Sequence, residues 1–557
     1  QRVGDIARTT PLQMVLVGDK EKAVWRIAWT AEAILPHLTA GRLVRMTRLP
    51  TSRGRIIARD GTELATFVET GLVGVVTGQI RSEAGLLASL SSVLGMKPDD
   101  IKAKYTQPWV KPDLFVPIKA IPVAQMDGIK ARLGVIEGVA IQATRVRSYP
   151  SGLAAQTLGY LAEAGDDEAK TKTARGVQAG DLIGKKDTGL EATLDDELGG
   201  SYGWRLGIVE SDERAVETLA ESAAVPGRDV VLSLDPKLQR AAENALGDQK
   251  GAIVAEDPWS GEILAIASRP TFDLNAFVSG DAAAIARYSA DPKRPFFNRA
   301  TFGQYPTGSS FKPVTSTAAL RTGVYKWGDR IDCPLRWTGY GEQWAQLNHE
   351  SVALGPIDLR TALARSCNTF FYEIGKRLND RDPFTSAADQ VWNPGDATNL
   401  AIGQGFLLAT PLQMANYASA LANDGIVWKP RLVIELRDRD GKTVKTYPKT
   451  QAGSALSIPT DLSLIRDGMH AVTTDPDGTV SSVFRTYSVS TAGKSGTAET
   501  SATGKVDAWF IGYASFEQPS IVIAAVLDEY TERPGVFGSV DSAIAVKTVF
   551  AAKFGPP

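Results

Sequence analysis

The rhythm of hydrophobic and polar positions changes near Val225-Pro-Gly227. Beyond that point, short apolar runs bounded by turn residues predict strands at 229–234, 251–256 and 261–267. The last two are joined through Asp257-Pro-Trp-Ser260, turn-forming residues that predict a hairpin. Pro236 stands at the head of a helix predicted over 237–246, because its fixed φ suits a first helical turn. Three more strands are predicted at 490–499, 508–514 and 521–527, with helical segments filling the middle. Strands at both ends with helices between them predict one antiparallel sheet closed by distant parts of the chain, an α+β domain.

Ahead of residue 227 the pattern is less regular. Residues 62–225 alternate short strands and helices with charged loops, and Ser52 to Gly61 reads as a short strand closing on an Asp60-Gly61 turn. Gly176 to Gly189, rich in Gly and Lys, is expected to be an exposed loop. Residues 1–50 show few clear elements. Apolar residues between Glu21 and Leu38 fall at roughly helical spacing until Pro36 interrupts them. The expected partition is 1–51, the remnant of an N-terminal extension; 52–226, a mixed α/β domain; and 227–557, the α+β domain.

Composition narrows the function classes. At 557 residues the chain exceeds one compact core, and 43% hydrophobic with 22% charged residues is the balance of a folded protein. The net charge of -2 shows no basic excess, which argues against nucleic acid as a partner. Two cysteines, Cys333 and Cys367, exclude a disulfide framework. One bridge between them is chemically open, but sequence cannot place their Cα atoms, and two buried free thiols are the expectation. His37, His349 and His470 lie far apart and form no metal-ligand motif. No stretch reaches the roughly 18–20 apolar residues of a membrane span.

Three short clusters carry candidate chemistry. Ser309-Ser-Phe-Lys312 follows the breaker run Tyr305-Pro-Thr-Gly308 and precedes a helical stretch to Leu320. That context puts Ser309 at a helix N-terminus with Lys312 on the same face, where free N–H groups favour developing negative charge. A serine hydroxyl needs a base to become a nucleophile, and a lysine serves as one only when neutral, a state that burial and neighbouring cations favour. Ser366-Cys-Asn368 heads an apolar helical run. It reads either as a helix cap or as a relay hydroxyl with an amide that holds a peptide backbone. Lys494-Ser-Gly-Thr497 lies on a predicted strand. It reads either as a bulge or as an edge where Gly496 admits a substrate strand, Lys494 supplies charge, and Ser495 and Thr497 bind a carboxylate. Each pattern alone arises easily by chance; all three together, once each and in this order, are far less easily explained so. Gly199-Gly-Ser-Tyr-Gly203 also fits Gly-x-Ser-x-Gly, but that motif needs a strand before it and a helix after. It follows a helix-like run instead and is read as coincidence.

On these residues the chain resembles the class B penicillin-binding proteins over nearly its full length. Arg53-Gly54 with Arg59-Asp-Gly61 is similar to the family's opening signature, with Ala58 where the family has Asp. Arg147-Ser-Tyr-Pro150 with Leu158-Gly-Tyr160, and Gly189-Leu-Glu191 with Leu198-Gly-Gly200, resemble the next two blocks. Ile402-Gly-Gln-Gly405 and Thr410-Pro-Leu-Gln-Met-Ala415 resemble the catalytic half. Trp25 to Pro36 looks like the end of an extra domain of a subgroup that includes lipoprotein-type actinobacterial members.

The resemblance implies a pedestal, or dimerisation-type, domain over 52–226 and a serine β-lactamase-like transpeptidase domain over 227–557. It implies that Ser309 attacks the penultimate D-Ala carbonyl of a peptidoglycan stem peptide, with Lys312 as base. Ser366 and Lys494 pass the proton to the leaving D-Ala, and the N–H groups of Ser309 and Thr497 form the oxyanion hole. Asn368 holds the donor peptide, while Ser495, Gly496 and Thr497 bind it along the strand. A second stem then takes the acyl group. β-Lactams are implied as covalent ligands, glycosyltransferase and other divisome or elongasome proteins as membrane partners, and no cofactor or metal. The implied location is the extracytoplasmic face of the bacterial membrane, with an anchor preceding Gln1, and the implied roles are in cell shape, division and antibiotic resistance. A D,D-carboxypeptidase, which uses water as acceptor, and a non-catalytic β-lactam sensor are the alternatives. A β-lactamase is disfavoured by residues 52–225 and by the lack of a clear deacylation base.

Overall fold

The computed structural model describes residues 2–108, 110–381, 393–453, 459–500 and 504–556. Contacts divide the chain into two units. One comprises Gln1–Arg55, Tyr160–Val230 and Leu436–Lys445, and the other Ile56–Gly159, Val231–Glu435 and Thr446–Pro557.

The second unit is built on five antiparallel strands. They are β1 (Gly251–Glu256), β2 (Ile263–Arg269), β3 (Thr491–Glu499), β4 (Val506–Ala514) and β5 (Ile521–Tyr530), in the order β2-β1-β5-β4-β3. The sheet is therefore closed by stretches more than 200 residues apart, as the pattern predicts. Strands β1 and β5 read as continuous apolar runs because helices cover both faces. On one face lie α1 (Pro236–Leu246) and the C-terminal helix Gly538–Phe554. There Leu238, Ala242 and Leu246 meet Ile253, Phe510, Val546 and Phe550. Each large side chain fully buried this way contributes roughly 1.5–3 kcal/mol. Asp235 caps α1 by accepting from the Lys237 and Leu238 N–H groups, and Pro236 occupies the first turn. Three further helices frame the site: α2 (Lys312–Thr322), α3 (Asn368–Arg381) and α4 (Pro411–Ala422).

The same unit holds a smaller sheet. The long strand Glu63–Val76 pairs antiparallel with Phe115–Pro122 and Val139–Ser148. Leu86, Leu90 and Leu94 of the helix Glu83–Leu94 pack on Val73, Val75, Val116 and Ile118. The predicted Asp60-Gly61 turn joins Ile56–Ile57 to this strand. Gly61 takes a left-handed φ of 91° and donates to the Ala58 carbonyl at 3.0 Å.

In the first unit, Gly203–Val209 lies between Leu43–Leu49 and Ala215–Ser222 in an antiparallel sheet. Two of the sequence blocks prove to be one feature here. The buried Arg53 guanidinium donates to the Glu191 carboxylate at 2.8 Å and to Asp195 at 2.7 Å. Burial alone pushes the Asp195 carboxyl up, but Arg53, the Gly184 N–H, Lys172 and Arg175 hold it well below the usual carboxylate range. Gly54 follows Arg53 because a Cβ there would lie 1.8 Å from the Arg228 carbonyl oxygen.

Two expectations are corrected. Val24–Ile27 is a strand paired with Met14–Val17, not part of a helix. Its β-branched and aromatic residues suit a pleated ribbon, and the helical spacing was accidental. Nor is Gly176 to Gly189 simply an exposed loop, since Leu182–Gly184 pairs with Leu161–Glu163 and Ile183 is buried. Gly184 marks close approach rather than exposure, because a Cβ there would lie 1.9 Å from the Glu191 carbonyl oxygen. Ser201 follows the helix Asp195–Gly199 and precedes the strand Gly203–Val209, the reverse of a nucleophile elbow. No helix among the described residues is long and apolar enough to cross a membrane.

Candidate active site

The segment before Ser309 is pinned on several sides. Tyr305 exchanges backbone hydrogen bonds with Ala409, and the Trp509 indole donates to the Pro306 carbonyl at 2.9 Å. The Gly308 N–H donates to the Gly403 carbonyl at 2.8 Å, which explains why Ile402-Gly-Gln-Gly405 belongs to the site. Gly308 takes a φ of 55°, and a Cβ there would lie 2.6 Å from the Thr497 carbonyl oxygen. Only glycine lets the chain pass this close to β3.

Ser309 then sits in a 3-10 turn, Gly308–Phe311, and α2 begins at Lys312. The predicted α-helical start is thus tighter than expected. Residues three apart eclipse in a 3-10 turn, so Ser309 and Lys312 still share a face. Ser309 is partly exposed, whereas Lys312 is fully buried. The Ser309 hydroxyl makes no hydrogen bond among the described residues.

Lys312 is held by the second cluster. Its Nζ donates to the Ser366 carbonyl at 2.6 Å, the Ser366 Oγ at 3.1 Å and the Asn368 Oδ1 at 2.7 Å. Burial, and then the charge of Lys494, hold its pKa well below that of an ordinary lysine. Ser366 adopts a φ of 56°, a left-handed conformation that costs a non-glycine residue roughly 1–3 kcal/mol. Its neighbours on either side, the helices Leu359–Ala364 and α3, leave it at the sharp turn between them.

The third cluster occupies β3, an edge strand of the sheet. Lys494 is fully buried, and burial lowers its pKa to about 7. Its Nζ donates to the Ser495 carbonyl at 3.0 Å and the Ser495 Oγ at 3.3 Å. A Cβ on Gly496 would lie 2.7 Å from the Thr307 carbonyl oxygen, so Gly496 abuts the segment that carries Ser309. The structure thus gathers all eight candidates: Ser309, Lys312, Ser366, Asn368, Lys494, Ser495, Gly496 and Thr497.

The expectation of two free thiols is wrong: Cys333 and Cys367 form a disulfide, with Cα atoms 6.5 Å apart. The partner lies at the end of the strand Ile331–Cys333, which folds against the Ser-x-Asn turn, a proximity that only the tertiary structure creates. Two other residues escaped the sequence reading. Thr479 Oγ1 lies 2.7 Å from Ser495 Oγ, adding a hydroxyl beside β3. The His349 ring packs edge-on to Phe537 at 6.4 Å, and desolvation, then Lys312, Lys494 and Arg365, lower its pKa. Neither has a sequence signal, because both reach the site from segments with no motif.

Residues 251–550 match the penicillin binding protein transpeptidase domain, and residues 48–232 the penicillin-binding protein dimerisation domain. The chain belongs to the penicillin-binding protein transpeptidase family, in its class B. It is 27% identical to the peptidoglycan D,D-transpeptidase MrdA of Salmonella typhimurium, over 87% of this chain and 86% of that one. It is 26% identical to penicillin-binding protein 3 of Bacillus subtilis, over 96% and 82%. Among solved structures it is similar to Pseudomonas aeruginosa PBP2 in complex with WCK 5153, with a TM-score of 0.64, 27% identity and coverage of 91% and 96%. PBP2 of Helicobacter pylori, in a complex with MreC, shares the fold with a TM-score of 0.75, 23% identity and coverage of 92% and 99%.

Proposed function

We propose that this chain is a peptidoglycan D,D-transpeptidase that crosslinks stem peptides through an acyl-enzyme on Ser309. The observation that carries the reading is Lys312: fully buried, its pKa depressed, one 3-10 turn from Ser309 and hydrogen-bonded to Ser366 and Asn368. Burial and the nearby Lys494 charge favour the neutral form of this lysine, the form that can take the serine proton.

The Ser309 Oγ attacks the penultimate D-Ala carbonyl, and its proton passes to Lys312. The N–H groups of Ser309 and Thr497 stabilise the tetrahedral oxyanion, the contribution that is usually largest. Collapse breaks the C–N bond, and the departing D-Ala nitrogen receives a proton through Ser366 and Lys494. Asn368 and the edge of β3 hold the donor as an added strand. Ser495 and Thr497, beside the Lys494 charge, hold its carboxylate. The amine of a second stem then attacks the acyl-enzyme, loses a proton to the same relay and frees Ser309. β-Lactams acylate Ser309 in the same way.

We assign the transpeptidase domain to 227–557, the pedestal to 52–226 and an extension to 1–51. Similarity to PBP2 in its complex with MreC, and to a chain of a peptidoglycan synthase complex, supports elongasome-type partners. The disulfide supports a location outside the cytoplasm, where such bonds persist. The test is intact mass after incubation with a β-lactam. The wild type gains one adduct, mapped to Ser309, and Ser309→Ala gains none while keeping its fold. An adduct on that variant at another serine refutes the assignment. Crosslinked rather than trimmed products from a stem-peptide assay separate transpeptidase from carboxypeptidase.

A further inference from the structure

We infer that the Cys333–Cys367 disulfide is a positioning element for acylation, holding Ser366 and Asn368 against Lys312. This rests on the acyl-transfer reading of Ser309 above.

Cys367 is the middle residue of Ser-x-Asn, so its two neighbours carry the oxygens that receive Lys312. Both sulfurs are fully buried, and neither faces a space a substrate could enter. The bond closes a ring across a sequence separation of 34. From Cys333 the ring runs back through Gly355–Ile357, which pairs with the strand Ile331–Cys333, and then through the helix Leu359–Ala364 to Ser366. Asn348 lies inside this ring and ties it together. Its amide nitrogen lies 3.5 Å from the Cys333 sulfur, and its Oδ1 accepts the Asn368 N–H at 2.9 Å. Thr369 adds a bond to the Pro334 carbonyl at 2.9 Å.

What the ring restrains is the one residue of the trio in a disfavoured conformation. Ser366 is left-handed without being glycine, so an untethered turn gains by relaxing. Relaxation withdraws the carbonyl and hydroxyl that Lys312 contacts. An amine with its acceptors displaced is no longer held in place beside Ser309, and a misplacement of 1 Å at a reacting group can cost about 100-fold. The carboxylate site on β3 is formed by Ser495, Thr497 and Thr479, which the disulfide does not join. The bond should therefore govern the acylation step more than initial binding.

The chemistry of opening is a thiol–disulfide exchange. A dithiol thiolate attacks one cysteine sulfur and displaces the other, and its second thiol resolves the mixed disulfide. Two electrons and two protons pass to the protein, leaving two cysteine thiols and a cyclic disulfide.

The test measures the noncovalent constant K and the acylation rate k2 for a chromogenic cephalosporin by stopped flow. Cys333→Ala/Cys367→Ala is compared with the oxidised wild type. The expected result is k2 lowered at least ~10-fold with K within ~3-fold, in a protein whose circular dichroism is native. A bond that only stabilises the fold lowers the melting temperature and leaves k2 of the folded protein unchanged, so k2 within ~3-fold of wild type overturns the inference. If the double variant does not fold, dithiothreitol-reduced wild type decides the matter. Its two-hydrogen mass gain verifies opening, k2 should fall, and reoxidation should restore it; an unchanged k2 again overturns the inference. Failure of the oxidised wild type to acylate at all would instead overturn the acyl-transfer reading.

Discussion

Replacing Lys312 with Met removes the amine while keeping an unbranched chain of similar volume in the same buried slot. Three hydrogen bonds are lost, to the Ser366 carbonyl, Ser366 Oγ and Asn368 Oδ1. A net hydrogen bond is worth about 0.5–1.5 kcal/mol, so the loss is on the order of 1.5–4.5 kcal/mol. The variant no longer buries an amine, which offsets part of this because burying a polar nitrogen is costly. The fold should therefore survive, with a melting temperature lowered by several degrees. The rate has no such offset. General-base catalysis contributes roughly 100- to 10,000-fold, which at 1.36 kcal/mol per decade is about 3–5 kcal/mol of barrier. The expected outcome is k2 for a fluorescent penicillin reduced by that factor, with the noncovalent constant little changed. The pH profile supplies a second check. Because burial and Lys494 lower the pKa of Lys312, its neutral form persists to lower pH than that of an ordinary lysine, and wild-type k2 should fall as acid protonates it. That acid limb should vanish in the variant. Lys494, lowered to about 7, loses its charge as pH rises through that value, so carboxylate binding should weaken on the alkaline side. A Lys312→Met protein that acylates within ~10-fold of wild type refutes Lys312 as the base.

Gly308→Ala forces a Cβ into a left-handed position 2.6 Å from the Thr497 oxygen. The backbone alone costs roughly 1–2 kcal/mol, and displacing Ser309 from β3 should lower acylation about 100-fold, read by the same penicillin assay. Arg53→Met takes the Arg53 guanidinium from the buried Glu191 and Asp195, leaving Asp195 to Arg175 and Lys172, a loss of about 3–5 kcal/mol. The thermal transition of the variant should fall while Ser309 in the folded fraction still acylates. Glu256, fully buried on β1, has its carboxyl raised to about 8, chiefly by burial. Between its ordinary value of 4.5 and about 8 the folded state holds a proton that the unfolded chain has lost, so stability falls as pH rises through that window. Urea midpoints at pH 5 and pH 9 should show this fall in the wild type and less of it in Glu256→Gln.

Much of this protein can be read before it folds. The strands β1, β4 and β5 announce themselves as largely apolar runs, because burial on both faces leaves little polar alternation to obscure them. The helix at Pro236 and the turn at Asp60-Gly61 are local matters of dihedral preference, and local preferences survive in sequence. The eight site candidates were legible because each sits in a short motif whose spacing already defines its geometry: two residues three apart on one helical face, two on either side of Cys367, and four along one strand. What sequence could not supply was distance between segments. Helical spacing from Glu21 to Leu38 and the Gly-rich stretch after Gly176 misled for that reason: pairing with Met14–Val17 and Leu161–Glu163 overrode local preference. Thr479 and His349 carry no pattern at all and become part of the site only through packing. The two cysteines make the same point most directly. Their separation of 34 says nothing about pairing, and the bond exists because Ile331–Cys333 folds back beside the turn at Ser366. The types of residue, and hence the chemistry, belong to the sequence. Which groups stand within reach of one another, and so which oxygens hold Lys312 and how its pKa is lowered, is decided by burial and contact, which only the folded chain possesses.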